Sequence, residues 1–475
     1  MMELTILGGA GEHGRSSYLL RREDRYLLLD CGMELPRDEH DFPARMTYML
    51  SRTQAVFLSH AHEDHSSGLP LLEQYGYTGD IWTTRATLKQ LPVCLRMHEQ
   101  HLNEQHYVVA DHKSDQWSYH TASELANPLT YEHNDNDQRQ VKVSSDAERK
   151  PLSSLKFRYL EDVAPPGEWT WLRPELQVCW GRAGHLPGSI WVAVNWYGKT
   201  IFYTGDYSAE SRLLEADRPL HHSRIISRAH PSPGQIPDLD LAIVDAAYGV
   251  DTDRQGNKLS QLSRYMKETL KRGGAILLPV PLYGRGQELI LWAREQFAQI
   301  PILVEQDLLE ALELFAAEPR WLRSDGAERI AQLLKHPQLY RLTDEHSREA
   351  LFRQHPSSIL FTDDGMLQSV KAQQHYTRIA TSAVNRVIFT GDLAHGSFGR
   401  LLLMDMEHQG CQIHHVRYKV HQGLPDVRQM LLDLKSPRTL LVHATRPRTD
   451  GLALRLEQEG FQQVHSLKPD DQLYF

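Results

Sequence analysis

The residues best equipped for chemistry lie together at His60-Ala61-His62-Glu63-Asp64-His65, three imidazoles and the Asp64 carboxylate within six positions, directly after the apolar run Ala55-Val56-Phe57-Leu58. An apolar run of that kind reads as a buried strand, so the cluster is expected on the loop at its end, where a rigid scaffold presents ligands. Neutral imidazole and carboxylate suit Zn²⁺, and four donors this close cannot all serve one tetrahedral ion that keeps an open position. Two metal ions are therefore expected, Zn²⁺ first and Mn²⁺ as the alternative. The competing reading is a solvated polar loop in a chain with 26 histidines. A lone His-x-His would favour that reading; the addition of Asp64 and His65 at this spacing favours metal.

Two metal sites need further donors, and the sequence offers three. Ala183-Gly184-His185-Leu186-Pro187-Gly188-Ser189 puts an imidazole in a Gly-rich turn before an apolar run. Tyr203-Thr204-Gly205-Asp206 ends a strand-like run on a carboxylate, and Leu441-Val442-His443 ends one on an imidazole. Singly, each is an ordinary turn or capping residue.

The elements that must hold these groups follow from the apolar pattern. Strand-like runs recur at Leu4 to Leu7, Tyr26 to Leu29, Ala55 to Leu58, Ile190 to Val194, Ile201 to Tyr203 and Leu241 to Val244. Most end in Asp, Gly or His, which collects polar residues at one edge of the implied sheets. Beyond Gly249 the pattern changes. Leu259, Leu262, Met266 and Leu270 mark an amphipathic helix, Ala275 to Leu278 a strand, a second helix follows Gly284-Arg285-Gly286, and Val387 to Phe389 is another strand. This alternation suggests a separate α/β unit at about 250–419. Val427, Met430, Leu431 and Leu434 then keep helical spacing, and Thr439 to Val442 reads as one more strand. Residues 133–150 read as a polar surface excursion and 219–237 as a long loop.

Composition narrows the class. The chain has 475 residues, enough for two or three domains, and its 41% hydrophobic and 24% charged content is that of a globular protein. No apolar stretch is long enough to cross a bilayer, and the N-terminus lacks a basic segment and cleavage site, so a cytoplasmic protein without membrane contact is expected. Cys31, Cys94, Cys179 and Cys411 are scattered without a C-x-x-C pair, which favours core thiols over a disulfide framework. A net charge of −9 argues against adhesion to nucleic acid over the whole surface, so a polynucleotide would need a local basic groove and metal. Nothing in the composition specifies a homo-oligomer.

Further motifs extend the pattern: Asp245-Ala246-Ala247-Tyr248-Gly249, Tyr283-Gly284-Arg285-Gly286-Gln287-Glu288, Gly365-Met366-Leu367, Phe389-Thr390-Gly391 with Gly399-Arg400, and the pair His421 and His443. In this order, with the cluster, they resemble the metallo-β-lactamase superfamily and, within it, the β-CASP branch of RNA- and DNA-processing nucleases. The resemblance covers nearly the whole chain. It implies an α/β fold, a metallo-β-lactamase αββα sandwich in two parts, 1–249 and 420–475, with an α/β β-CASP domain inserted at 250–419. It implies one zinc on His60, His62 and His185, a second on Asp64, His65 and His443, and Asp206 bridging, with a hydroxide between the ions attacking phosphorus. Asp64, Asp245 and His421 become the expected catalytic residues, Asp245 orienting a neighbour and His421 protonating the departing oxygen.

RNA is the expected substrate and DNA the alternative, because DNA-processing members tend to carry valine at the position of His443. Several positions depart from the family pattern where phosphate would be held: Lys419-Val420-His421 in place of Ser-x-His-x-Asp, Asp364 for Ser, Asp392 for Tyr, and His443-Ala444-Thr445 for His-Gly-Glu. A fixed carboxylate at Asp364 would repel a phosphate unless a cation intervenes. Arg285 and Arg400 are the candidate phosphate contacts, while Arg446 and Arg448 read first as surface arginines. Two other readings stay open: a dizinc hydrolase of a small ester, lactone or cyclic phosphate, and a weakly catalytic RNA-binding or assembly subunit.

Overall fold

The computed structural model describes residues 1–32, 47–108, 152–221, 235–236, 238–405 and 410–475, with side chains omitted at 98–108, 220–221 and 235–236. The expected excursion at 133–150 lies outside the described residues, as does most of the loop expected at 219–237.

Among the described residues, alternating and fully buried apolar runs build three sheets and one short strand pair. The first half of the chain supplies β1 (Glu3–Gly8), β2 (Ser17–Arg22), β3 (Arg25–Leu29), β4 (Thr53–Phe57), β5 (Asp80–Thr83), β6 (Lys156–Tyr159), β7 (Thr170–Arg173), β8 (Leu176–Arg182), β9 (Ile190–Trp196), β10 (Lys199–Tyr203), the pair β11 (Leu220–His221) and β12 (Gln235–Ile236), and β13 (Leu241–Asp245). Then come β14 (Ile276–Pro279), β15 (Ile302–Glu305), β16 (Leu339–Leu342), β17 (Ile359–Thr362), β18 (Arg386–Phe389), β19 (Gln412–His415), β20 (Thr439–Val442), β21 (Val464–Ser466) and β22 (Gln472–Tyr474). One seven-stranded sheet runs β22-β1-β2-β3-β4-β5-β6 and another β21-β20-β13-β10-β9-β8-β7.

The two sheets face each other. Leu4, Tyr18, Leu27 and Phe57 from the first join Val178, Trp196, Tyr203 and Ile243 from the second in one buried cluster. Burial of an apolar side chain of this size contributes about 1.5–3 kcal/mol, so this layer fixes how the sheets stack. Outside the second sheet, Val244 and Leu441 pack with Val427 and Leu431 of the helix Leu424–Leu434 and with Leu452 and Leu456 of the helix Arg446–Gln458. Outside the first sheet, Leu28 and Val56 pack with Leu69, Leu72 and Leu91 of the helices Leu69–Gln74 and Arg85–Val108. The result is the helix–sheet–sheet–helix sandwich expected from the sequence.

The third sheet, β16-β15-β17-β14-β18-β19, has six strands and is parallel throughout. It lies between β13 and β20 in sequence, yet those two strands are hydrogen-bonded neighbours, with Asp245 opposite Val442. Chain connectivity therefore brings the ends of β13 and β20, with Asp245 and His443, to one sheet edge.

The amphipathic pattern expected from Leu259 to Leu270 forms the helix Gln255–Lys271, with Leu259, Leu262 and Met266 buried. The expected cluster loop differs in one respect. His60 to His62 are irregular, but Glu63–Ser66 make a helical turn with Glu63 and Asp64 in its first turn, where the helix dipole favours acids. All four cysteines are free and buried, as expected. No described helix is long and apolar enough to cross a membrane.

Within the third sheet a buried carboxylate carries a pH signature. Glu305 meets Arg348 Nε at 2.8 Å and His375 Nε2 at 2.6 Å. Burial opposes its ionisation, but these partners outweigh that and hold the carboxyl at about 2, below its ordinary 4.5. A depressed acid stabilises the fold above its unfolded pKa and loses that contribution as pH falls towards its folded pKa. Glu305→Gln is expected to cost roughly 2 kcal/mol at neutral pH, with the gap to the parent protein closing between pH 4.5 and about 2. Denaturant unfolding across that window checks it; a gap that does not change with pH contradicts it.

Candidate metal centre

The sheet edges bring all seven expected donors into one cleft. Among the described residues three groups have ligand atoms within 4.8 Å of one another: His60, His62, His185 and Asp206; Asp64, His65 and His443; and, overlapping these two, Asp206, His421 and His443. In the first, His62 Nδ1 lies 3.2 Å from His60 Nε2 and 3.1 Å from His185 Nε2, and Asp206 Oδ2 lies 3.5 Å from both His60 Nε2 and His185 Nε2. Zinc–nitrogen bonds of about 2.0–2.1 Å set tetrahedral edges near ~3.3 Å, so these separations fit a four-coordinate ion. In the second group Asp64 Oδ2 is 3.7 Å from His65 Nε2 and 3.8 Å from His443 Nδ1.

Asp206 joins the two. Its Oδ1 is 3.3 Å from His65 Nε2 and its Oδ2 is 3.6 Å from His443 Nε2. The carboxylate is buried, and neither Asp206 Oδ1 nor His443 Nδ1 has a hydrogen-bond partner among the described residues. Buried polar atoms without partners are costly unless something else binds them, and cations would satisfy both.

Second partners fix the imidazoles. His185 Nδ1 is 2.9 Å from the Val420 carbonyl oxygen, which leaves Nε2 facing Asp206. His65 Nδ1 is 2.6 Å from Asp30 Oδ2. Asp30 also accepts from Ser59 N, Ser59 Oγ and the Tyr203 hydroxyl, each at 2.6 Å. Sequence reasoning missed Asp30 as a site residue, although it directly follows the strand β3, as Asp206 follows β10 and Asp245 closes β13. Asp30→Asn would put an amide N–H among those donors and tilt His65. Metal affinity is expected to fall by about 10- to 100-fold, which chelator competition would measure; unchanged affinity contradicts the role.

Backbone geometry supports the same positions. His443 follows β20 at φ 63°, a left-handed conformation rare for a side chain of this size, held by its N–H donating to the Gly9 carbonyl at 2.7 Å. At Gly32 a Cβ would lie 1.9 Å from the Asp64 carbonyl oxygen, so only glycine lets that loop close on the helical turn.

Protonation favours ligation at His60, His62 and His185. Burial, reinforced by neighbouring imidazoles, pushes His60 well below its ordinary pKa, burial does the same to His185, and burial lowers His62. Neutral imidazole is the form that binds metal. Burial works against ionisation of Asp206, but His443, His65, His421 and His60 outweigh it and hold the carboxyl well below the usual range. Burial also opposes protonation of His65, which the carboxylates of Asp206, Asp64 and Asp30 overcome, raising it.

His421 lies beside this centre, its Nδ1 3.1 Å from Asp245 Oδ2 and 3.8 Å from Asp206 Oδ2. Burial would lower it, but Asp245 and Asp206 raise it to about 9. The ring of Tyr248 packs edge-on against it at 5.4 Å.

The expected phosphate contacts separate. Arg285 opens the helix Arg285–Gln296 beside Gly284, whose Cβ position is 3.5 Å from Leu186 Cδ2, next to His185. Its Nε has no hydrogen-bond partner among the described residues, and a Cβ at Gly391 would lie 1.9 Å from its Nη2. Arg400 is instead exposed on the helix Phe398–Met404, with no contact joining it to the cluster among the described residues. Asp364 does not face a phosphate subsite as a free charge: its oxygens accept from the backbone N–H groups of Met366, Gln368 and Ser369 at 2.6–3.0 Å.

The other departures also have partners. Lys419 Nζ pairs with Glu210 at 2.6 Å and Asp426 at 2.7 Å. Asp392 sits between Arg417 at 2.8 Å and Arg448 at 2.6 Å, so Arg448 is an internal clamp, whereas Arg446 pairs with Asp450 at 2.8 Å on the surface.

A metallo-beta-lactamase superfamily model matches residues 10–83, and a Beta-Casp domain model matches residues 289–402. The chain carries a metallo-β-lactamase domain and a Beta-Casp domain. It is 27% identical to the transcription termination factor FttA of Methanothermobacter thermautotrophicus over 95% of this chain and 68% of that one. It is 23% identical to "Probable RNase MJ4" of Methanocaldococcus jannaschii over 98% of both chains. Ribonuclease TTHA0252 of Thermus thermophilus is 25% identical over 84% of this chain and 81% of its own. The chain spans 57–68% of the length of the termination factors it matches. The metallo-β-lactamase fold and the His/Asp cluster together make this a metal-binding site.

Proposed function

We propose that this chain is a metal-dependent phosphodiesterase that cleaves single-stranded RNA, using two Zn²⁺ ions held in the cleft between the sandwich and the third sheet. One observation carries the reading: two donor groups of the right chemistry share the buried Asp206 carboxylate. His60, His62 and His185 would hold one ion, Asp64, His65 and His443 the other. When bound, such ions activate water at neutral pH and neutralise charge on the phosphate oxygens.

The chain's own residues supply the rest. Arg285 contributes a half-buried guanidinium whose Nε has no hydrogen-bond partner among the described residues, suited to a phosphate oxygen. His421, held by Asp245, carries a proton that its outer nitrogen can give to the departing oxygen. The domain limits 1–249, 250–419 and 420–475 accord with the adjacency of β13 and β20. The ribonuclease names among the relatives favour RNA over DNA. Four buried free thiols support a reducing, cytoplasmic location.

The test is incubation of zinc-reconstituted protein with end-labelled single-stranded RNA, the matching DNA and a small aryl ester. Cleavage of RNA, with DNA cut more slowly and the ester untouched, is expected. Hydrolysis of the ester alone overturns the reading.

A further inference from the structure

We infer that a groove along the outer face of the helix Gln255–Lys271 is a second binding site for the RNA strand, holding its phosphates beyond the cleavage centre; the inference rests on the RNA-cleaving reading above. The groove has a volume of about 670 Å³. The buried Leu259 and Trp292 lie at its floor, and Arg264, Lys267 and Lys271 line it.

Charge makes it a site for an anion. The chain as a whole is acidic, with net charge −9, yet no acidic group of the described residues lies within ion-pair distance of Arg264, Lys267 or Lys271. Glu268, the one acid lining the groove, is engaged by Arg386 at 3.5 Å. Arg212, which also lines the groove, reaches Glu295 at 3.3 Å. Three exposed cations at i, i+3 and i+7 repel one another along a helix, so the arrangement does not serve the fold. Lys271, in the last turn, is the only one whose place also suits the helix dipole.

Length makes the anion a polymer. Gly256 to Lys271 rise about 22 Å at 1.5 Å per residue, more than one compact anion can span. Continuity makes it the substrate's own strand. Gln255 donates to the Lys419 carbonyl at 3.3 Å and accepts from Lys419 N at 2.8 Å, two residues before His421. Arg212 follows the bridging Asp206 by one short loop. The groove therefore starts behind the cleft and runs away from it.

The test uses the full chain with Arg264, Lys267 and Lys271 all changed to Gln, which keeps helix propensity and removes only exposed charge. Steady-state cleavage is measured on unstructured RNAs of increasing length and at several salt concentrations. For long RNA, KM is expected to rise about tenfold with kcat unchanged, and the salt dependence of log KM to flatten by about 2, near 0.7 per charge removed. The shortest cleavable RNA should show neither change. Equal effects on long and short RNA, or none on either, would overturn the site. Competition by polyglutamate but not by non-cleavable RNA would assign the groove to an acidic protein partner instead and also overturn it. If the parent protein cleaves no RNA, the cleavage reading fails separately; anisotropy of labelled RNA on the parent and the triple variant then decides the groove alone, equal affinity counting against it.

Discussion

Asp206→Ala is expected to lower RNA cleavage on the order of 10⁴-fold, roughly 5.5 kcal/mol of lost transition-state stabilisation, and to leave fewer than two metal ions per chain. Among the described residues Asp206 is the one carboxylate within 3.3–3.8 Å of five imidazoles, those of His60, His65, His185, His421 and His443. Its removal takes a ligand from both groups and, among the described residues, the only negative charge that lies between them. Six donors would remain, so one ion can still bind, but nothing would set the spacing of a pair. Asp206→Asn sharpens the point, because the amide keeps the volume and loses the charge. Elemental analysis beside a cleavage assay checks the result; full metal occupancy with near-normal cleavage contradicts it.

His421→Ala should reduce cleavage by about 10²- to 10⁴-fold while leaving metal content unchanged, the range expected when a positioned proton donor is lost. Asp245 holds His421 in place: it is fully buried, its Oδ1 accepts from Ala247 N at 3.0 Å, and its Oδ2 accepts from Tyr207 N at 3.2 Å and meets His421 Nδ1 at 3.1 Å. Asp245→Asn is therefore expected to act through His421, so the double variant should be little worse than His421→Ala alone. A leaving group that needs no proton discriminates further. With a nitrophenyl phosphodiester the His421→Ala defect should shrink to a small factor. An undiminished defect would assign His421 to phosphate or metal binding instead.

Much of this centre was legible in the sequence because its ligands sit where apolar runs stop. His60 follows β4, Asp206 follows β10, Asp245 closes β13 and His443 follows β20, and a strand end projects a side chain whatever the loops do. Asp30 obeys the same rule at β3 but stood without a neighbouring imidazole in sequence; only folding brings His65 to it. The altered positions were misleading for a related reason. Asp364, Asp392 and Lys419 differ from the family pattern as residues of a phosphate clamp, yet each is consumed by partners distant in sequence or by turn amides, which no local spacing reveals. Arg400 was carried by its motif, but its motif neighbour Gly399 is what packs, its Cβ position lying 2.6 Å from the Phe389 ring.

The strands fared unevenly for a physical reason. Fully buried runs such as Ile276–Pro279, apolar throughout, and Leu241–Asp245, apolar up to its final carboxylate, stand out. Lys156–Tyr159 and Gln472–Tyr474 are edge strands with one solvated face, and their composition does not separate them from loops.

The central claim is that a pair of metal ions on this cluster cleaves RNA, and it is tested most directly by titrating metal-stripped protein with Zn²⁺ while following end-labelled single-stranded RNA. No cleavage is expected without metal, and activity should rise until two equivalents are bound, with Asp206→Asn failing to reach it. Cleavage by the stripped protein, or none when both equivalents are bound, would contradict it.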